Sequence, residues 1–439
     1  MIEARSRRGI LARLGPFRHA TFSIYWTGGF LSNIGTWLQA VAASVFVYQL
    51  TGSTLAVGIL NFASFLPVFL FSIIGGVISD RYDRRLVVIV THVTSGVLAT
   101  VLAVLAFSGV ATEIHVVVIA FALNTSYAVA KPALVSILPS LVPREELTEA
   151  VGVNTLQFVT GQMIGPVLSA IVIATAGVPW AFAINALSYL APVLSMVYLS
   201  RHVPGHGEPA SAAAQPIDSD PTISAVRYVG EHRWVLALLL GIVACSAPLE
   251  VLRTLSPALA GALHQPESAA GLIVAAQSAG SALALLAFIP LRRSGRSNDV
   301  ARLGLGIQAV GMIGAFLAGD LRVAAVSVGM VGFGFSLCFP VLTSGLQAEV
   351  PDAVRGRVMS FHQMAHLGNR PFAALAGGAV AALVGAQPAV LIGLALTPLG
   401  LLATRQAWSA LSRPVTIVVE STTPTVELAP DPATVDRAG

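Results

Sequence analysis

Charge is scarce in this chain of 439 residues: Asp, Glu, Lys and Arg make up 10% of it, against about a quarter in soluble domains. With 55% hydrophobic residues and a mean hydropathy of +0.79, it has too little polar surface to cover a water-soluble body of this length. Cysteine is nearly absent as well. Cys245 and Cys338 both fall inside apolar runs and read as small core residues, not as a disulfide or a metal site. Lys131 is the single lysine among 25 basic residues, a compositional bias that suggests a GC-rich bacterial source. The apolar runs lack the polar/apolar alternation of membrane strands, which argues against a barrel. No GxxxxGK[ST] loop is present and no HExxH or Ser/His/Asp arrangement stands out, so ATP-driven transport by this chain alone is disfavoured, an enzyme is not expected, and no cofactor is implied.

What is present is a series of long apolar runs. An α-helix needs about 20 residues to cross a hydrocarbon core of about 30 Å, and twelve such runs are found, near 22–49, 54–79, 86–108, 114–138, 147–176, 179–199, 234–262, 269–291, 300–318, 321–347, 358–384 and 387–410. The turn at Gly319, Asp320 and Leu321 is the weakest division. The expected fold is therefore an all-α membrane protein. Counting loops alternately, one side receives nearly all the basic residues, including Arg18, Arg81, Arg84, Arg85, Arg144, Arg201, Arg233, Arg302, Arg355, Arg357 and Arg405, and the other receives Arg322. The positive-inside rule then puts both termini in the cytoplasm of an inner-membrane protein. The same bias accounts for the net charge of +4, which is no argument for a nucleic-acid partner. No cleavable signal peptide is seen, because the first apolar run is a full span.

The longest polar stretch, 201–233, carries Pro204, Pro209, Pro216 and Pro221 and an Ala/Ser run, and reads as a flexible linker between halves of six helices each. The expected organisation is thus an N-terminal segment 1–21, a bundle 22–200, the linker 201–233, a second bundle 234–410, and a disordered tail 411–439. The halves repeat weakly. PALVSILPSLVP from Pro132 matches PVLTSGLQAEVP from Pro340 at six of twelve positions, and the same offset of 208 carries Arg84 and Arg85 onto Arg292 and Arg293, which favours a parallel internal repeat.

Twelve helices in two repeated halves, joined by a polar linker, resemble the major facilitator superfamily of secondary transporters. Gly75, Asp80, Arg81, Arg84 and Arg85 resemble its signature loop between the second and third helices, with Gly76 and Ser79 between them. On the fifth helix Gly152, Gly161, Gly165 and Pro166 have the spacing of its antiporter signature, with Ser169 and Ala170 in place of a final glycine pair. The segments FRHATFSIYWTGGFLSNIGTWLQ, LPSLVPREEL and VPDAVRGRVMSF are similar to the bacterial efflux branch that contains the enterobactin exporter. The resemblance implies alternating access and proton-driven export of a siderophore, drug or other amphipathic metabolite by a monomer in the bilayer.

The charged positions support specific expectations. Asp80 ends the second helix, where it could bond Arg81 or Arg84 and face the start of the eleventh helix near Gly356 and Arg357, latching the halves when the opposite side is open. The bland alternative is that these arginines only set topology. In the second half Phe288 stands where the repeat would place the acid, so Glu145 and Glu146 could serve Arg292 and Arg293 instead, or be ordinary first-turn acids. Glu250 lies well within a span, one helical turn before Arg253. It is either a proton carrier or half of a static ion pair. Lys131 and Arg370 are costly in lipid and so are expected to face a central cavity suited to an anionic cargo such as a catecholate or carboxylate, although Lys131 could also snorkel to the interface. Asn124, His366 and Gln39 are further candidates for the cavity wall. His362 and His366, one turn apart, are more readily packing residues than metal ligands. Asn33, Asn154, Gln157, Gln277 and Gln308 are polar groups within spans that either line a path or bridge helices.

Overall fold

A computed structural model describes residues 15–202, 221–293 and 297–411. It contains twelve helices long and apolar enough to cross a membrane, and no strand among the described residues. In chain order they are α1 (Ala20–Thr51), α2 (Thr54–Arg81), α3 (Arg84–Phe107), α4 (Glu113–Ile137), α5 (Leu147–Thr175), α6 (Val178–Ser188 and Leu190–His202), α7 (Arg233–Ala262), α8 (Ala270–Arg293), α9 (Ser297–Leu317), α10 (Leu321–Glu349), α11 (Asp352–Gln363 through Arg370–Val384) and α12 (Ala386–Ala389 through Thr397–Leu411).

Local chemistry fixes the helix starts. Asp83 begins α3 by accepting from the backbone N–H of Arg85 at 2.7 Å and of Leu86 at 3.2 Å, and Asp320 begins α10 by accepting from Arg322 and Val323 at 2.7 and 2.9 Å. The division at Gly319 to Leu321 is therefore a capped turn between two separate spans. Along α3, Leu86, Val90, Val93, Val97, Val101 and Val104 are exposed while Val87, Val88, Ala99, Leu102 and Ala103 are buried. An apolar outer face at helical spacing is a liability in water and is satisfied by lipid.

Each half buries its own cores. Two apolar clusters lie mainly in the first half, one of them also taking in Ala270 and Val274 of α8, and two lie in the second, and small residues bring the helices of the second half together: Gly280 meets the Gly329 backbone, Gly304 meets Gly334, and Gly332 meets the Gln277 carbonyl. α7 is the most enclosed span, with 78% of its apolar window buried against at most 56% elsewhere, so its charged residues sit deep in protein and not at the lipid surface. The stretch expected as a linker is not loop throughout. Residues 203–220 lie outside the described part, but Pro221–Glu231 is a helix whose Tyr228 and Val229 pack on the second-half core. The tail from 412 onward also lies outside the described residues.

Three spans are irregular where the sequence suggested plain helices. α6 is interrupted at Tyr189. α11 widens into a π-turn at Met364–Gly368, just before Pro371 takes one N–H out of the ladder. α12 begins as short helical pieces from Ala386 to Leu396.

Candidate functional site

The two halves meet along α1, α2 and α5 of the first and α7, α8 and α11 of the second. Against the first half's α2, α11 brings Gly378, whose carbonyl accepts from Thr54 Oγ1 at 2.9 Å. A Cβ on Gly58 would stand 3.0 Å from the Ala374 carbonyl oxygen. Deeper in, Phe62 meets Phe372 edge-on, with centroids 6.0 Å apart, and Gly368 lies beside Phe69. On the other flank a Cβ on Gly271 of α8 would stand 2.8 Å from the Ala170 side chain of α5, and Ser278 Oγ donates to the Gln162 carbonyl at 3.1 Å. All these contacts lie between the arginine-poor face and the middle of the bilayer. The contacts between the halves thus gather toward the arginine-poor face.

Where the halves meet sits a group of charges. Glu250 of α7 is buried, and its Oε2 accepts from Arg253 Nη1 at 3.1 Å, with the side chains 1% and 11% exposed. Its Oε1 has no hydrogen-bond partner. The Arg253 guanidinium in turn lies 5.0 Å from the Trp37 ring centroid on α1, and Asn61 of α2 donates to Thr254 Oγ1 at 3.2 Å. Arg370 of α11 lies within the field of Glu250, which attracts it, and of Arg253, which repels it, with its guanidinium carbon 5.6 Å from the Phe65 ring. Lys131 of α4 is exposed yet near enough to Arg370 for the two charges to repel. Lys131 and Arg370, one from each half, and the Glu250–Arg253 pair therefore form one group of charges where the halves meet, flanked by the rings of Trp37 and Phe65.

His366 joins this group. Its ring lies 3.5 Å from Arg370 Nη2 and against Phe339, centroids 4.4 Å apart, while His362 is buried with Nε2 2.9 Å from Thr343 Oγ1. Among the described residues no group of three metal-ligating side chains forms. The π-turn of α11 places these residues: Asn369 reaches across to donate to Ser246 Oγ of α7 at 2.8 Å, and the extra residue in the turn aims His366 and Arg370 at the charge group.

Other expected residues lie elsewhere. Gln39 does not line the cavity. It is buried within the first half, where its Oε1 accepts from Asn185 Nδ2 at 2.6 Å, because an amide inside an apolar bundle needs a partner. Asn124 donates to the Ala120 carbonyl of its own helix at 2.9 Å. Gln277 and Gln308 donate to the Leu249 and Cys245 carbonyls on either side of Pro248, where the proline interrupts the α7 ladder, and Asn33 and Gln157 bond backbone carbonyls between α1 and α5. All but Asn124 are helix-bridging residues.

The motifs divide in the same way. Gly161 and Gly165 of α5 let α1 approach, a Cβ on Gly165 meeting Trp37 Cβ at 2.5 Å and the Ile34 carbonyl at 2.9 Å. Gly152 faces open space, so close packing does not explain it. Pro166 is buried next to Gly271. In the signature loop, Gly75 packs its α-carbon against the α4 backbone at Ala128 and Val129, and buried Arg85 donates to the Leu199 carbonyl at 3.1 Å. Both serve contacts inside the first half. Asp80 and Arg81 are exposed, and Asp80 makes no hydrogen bond or ion pair among the described residues. Arg84 and Arg357 are half-buried. Glu146 is held by Arg18 and by His19, whose Nε2 is 3.0 Å from Oε2. It is therefore occupied within the first half and unavailable as a partner for Arg292 or Arg293, whose side chains lie outside the described part. Sequence reasoning missed Trp37, Phe65 and Asn61. Trp37 had a readable signal: tryptophan in membrane helices gathers at the interfaces, and this one lies at the middle of α1.

Comparison with known proteins bears on this arrangement. The chain is 28% identical over 396 residues to the enterobactin exporter EntS of Salmonella typhimurium, covering 88% of this chain and 91% of that one, and 26% identical over 394 residues to EntS of Citrobacter koseri with the same coverage. In structure it is similar to a bacterial homologue of the iron transporter ferroportin in an inward-facing state, with a TM-score of 0.71 at 16% identity over 90% of this chain and 99% of that one. It is also similar to a bacterial homologue of the lysosomal transporter Spinster, with a TM-score of 0.67 at 14% identity over 90% and 98%. The family described as transmembrane secretion effectors matches residues 11–421. The chain belongs to that family of major facilitator transporters and is not an enzyme.

Proposed function

We propose that the protein exports an anionic small molecule bearing aromatic or other apolar groups, in exchange for protons, across the inner membrane. The observation that carries this reading is the charge group where the halves meet: Lys131 and Arg370 approach one another from opposite halves, aromatic rings flank the group, and one buried acid, Glu250, stands in it. Two cations from two bodies favour an anion that bridges them. Glu250 supplies a titratable group whose charge is balanced by Arg253. The positive-inside rule makes the arginine-rich face cytoplasmic, the side from which an exporter loads. The antiporter-like spacing on α5 and the relatives named as enterobactin exporters support the outward direction. Asp80, exposed at the cytoplasmic end of α2, is the residue we assign to latch the halves there in the opposite state, against the start of α11 near Arg357.

The test is transport by the purified protein in liposomes with an imposed pH gradient, against a panel of siderophores, dyes and antibiotics. The expected result is proton-dependent flux of anionic aromatic compounds that Glu250→Gln abolishes. No proton-dependent flux of any compound overturns the reading, and flux with unchanged pH dependence in Glu250→Gln removes that residue from the coupling.

A further inference from the structure

An exchanger has a requirement that its cavity alone does not meet. It must change state when loaded with cargo or with a proton, and must not do so when empty, because an empty crossing lets either species run downhill without the other. Something must therefore hold the empty, deprotonated carrier in place and let go when either ligand binds.

We propose that Trp37, Arg253 and Glu250 form this lock: the Glu250 carboxylate holds the Arg253 guanidinium on the Trp37 ring, tying α7 to α1 across the two halves. The inference rests on the proton-exchange reading above. The contact is a built one. Arg253 is fixed on one side by the 3.1 Å bond to Glu250 and lies 5.0 Å from the Trp37 centroid on the other. Its side chain is 11% exposed, and a cation on an aromatic face is worth most where water is excluded. Trp37 is itself held against α5 at Gly165. Its Cβ occupies the space a Gly165 side chain would need, and Phe158 of α5 packs on its edge with centroids 5.9 Å apart. The antiporter-like motif thus seats the tryptophan, the tryptophan receives the arginine, and the arginine answers to the one acid buried in the charge group.

The surroundings explain the release. The charges about Glu250 are Arg253 on its own helix and Arg370 on α11, with His366 beside Arg370 and Lys131 beyond it. α1, α2 and α8 bring Trp37, Asn61 and Gln277 to the same stretch of α7. When Glu250 takes a proton, Arg253 loses its counter-charge and its anchor, and the repulsion from Arg370 is no longer offset. When an anionic cargo enters, it offers Arg253 and Arg370 a common partner and draws the guanidinium off the ring. Either ligand frees α1 from α7. Neither does so when both are absent, which is the condition an exchanger needs.

The test uses the full chain in lipid nanodiscs without any cargo, with Cys245→Ala and Cys338→Ala, and spin labels at Leu50 and Ala262, which are exposed at the arginine-poor ends of α1 and α7. Distances are measured at pH 8.5 and pH 5. At pH 8.5 the parent is expected to hold the short distance, and Trp37→Leu to shift the population at least about fivefold toward the long one, as loss of a partly buried cation–π contact implies. Trp37→Phe, which keeps an aromatic face, stays close to the parent. Glu250→Gln resembles the parent at pH 5 at both pH values. If Trp37→Leu leaves the short distance at pH 8.5, or if Phe and Leu open it equally, the lock is overturned. Should Trp37→Leu fail to fold, Arg253→Gln against Arg253→Lys asks the same question from the other half. The measurement needs no transport, so a lock that fails here is distinguishable from an exchange reading that fails in liposomes.

Discussion

Adding one methyl group at Gly378 should open the arginine-poor face. The Cβ of Gly378→Ala would stand 2.5 Å from the Thr54 carbonyl oxygen and 3.1 Å from the Gly58 α-carbon. Both are backbone atoms, so no side chain can turn aside, and α2 must move by about 1 Å to reach ordinary contact distance. Because α2 and α11 belong to different halves, the least costly relief is to tilt the halves apart, which also breaks the Thr54 Oγ1 to Gly378 carbonyl bond of 2.9 Å. Overpacking of this kind costs about 1–3 kcal/mol, and a lost hydrogen bond about 1 kcal/mol more. The closed population should then fall by a factor of roughly thirty to several hundred, at about 1.4 kcal/mol per tenfold. Spin-label distances across that face read this directly, and the thermal midpoint of each half should change little, since the strain is relieved between bodies. An unchanged distance distribution in a well-folded Gly378→Ala protein would refute the view that this seam is where the halves part.

The matching control is Gly332→Ala. Its Cβ would collide with the Gln277 carbonyl and stand 2.9 Å from Ser281 Oγ, all within the second half, so it should lower the melting temperature without moving the labels. Arg85→Gln removes the donor to the Leu199 carbonyl and should lower the thermal stability of the first half, by about 1–3 kcal/mol for a buried charged bond, with the charge group untouched. Asp80→Asn should reduce transport at normal protein level and leave the spin-label distances of the cargo-free protein at pH 8.5 unchanged, because Asp80 makes no hydrogen bond or ion pair among the described residues; normal efflux would remove it from the gate. Lys131→Gln and Arg370→Gln should each weaken binding of an anionic aromatic dye by about tenfold, as loss of one charge-assisted hydrogen bond implies, and leave a neutral dye unaffected, which equilibrium fluorescence titration can show.

The fold was legible because membrane crossing constrains sequence along one axis: a backbone without water must close its hydrogen bonds in a helix, so length and hydropathy together report each span. The site was only partly legible, because burial within a bundle and exposure to a cleft look alike in one dimension. Gln39 and Lys131 are both polar residues in apolar runs. The structure gives Gln39 a buried partner in Asn185 and leaves Lys131 exposed within reach of Arg370 on the other half. What separates them is which neighbour arrives from another helix. The same reasoning applies to the glycines. Gly152 and Gly165 share one motif spacing, yet a side chain at Gly152 would meet nothing and one at Gly165 would displace α1. Charge was the more dependable guide, since Glu250, Arg253 and Arg370 are each too costly in lipid to stand alone, and the meeting of the halves is where three such groups can balance one another. Trp37 carries no charge, and its signal was of another kind: a place at mid-span, away from the interfaces where tryptophan gathers, where the arginine that lies on its ring comes from the other half.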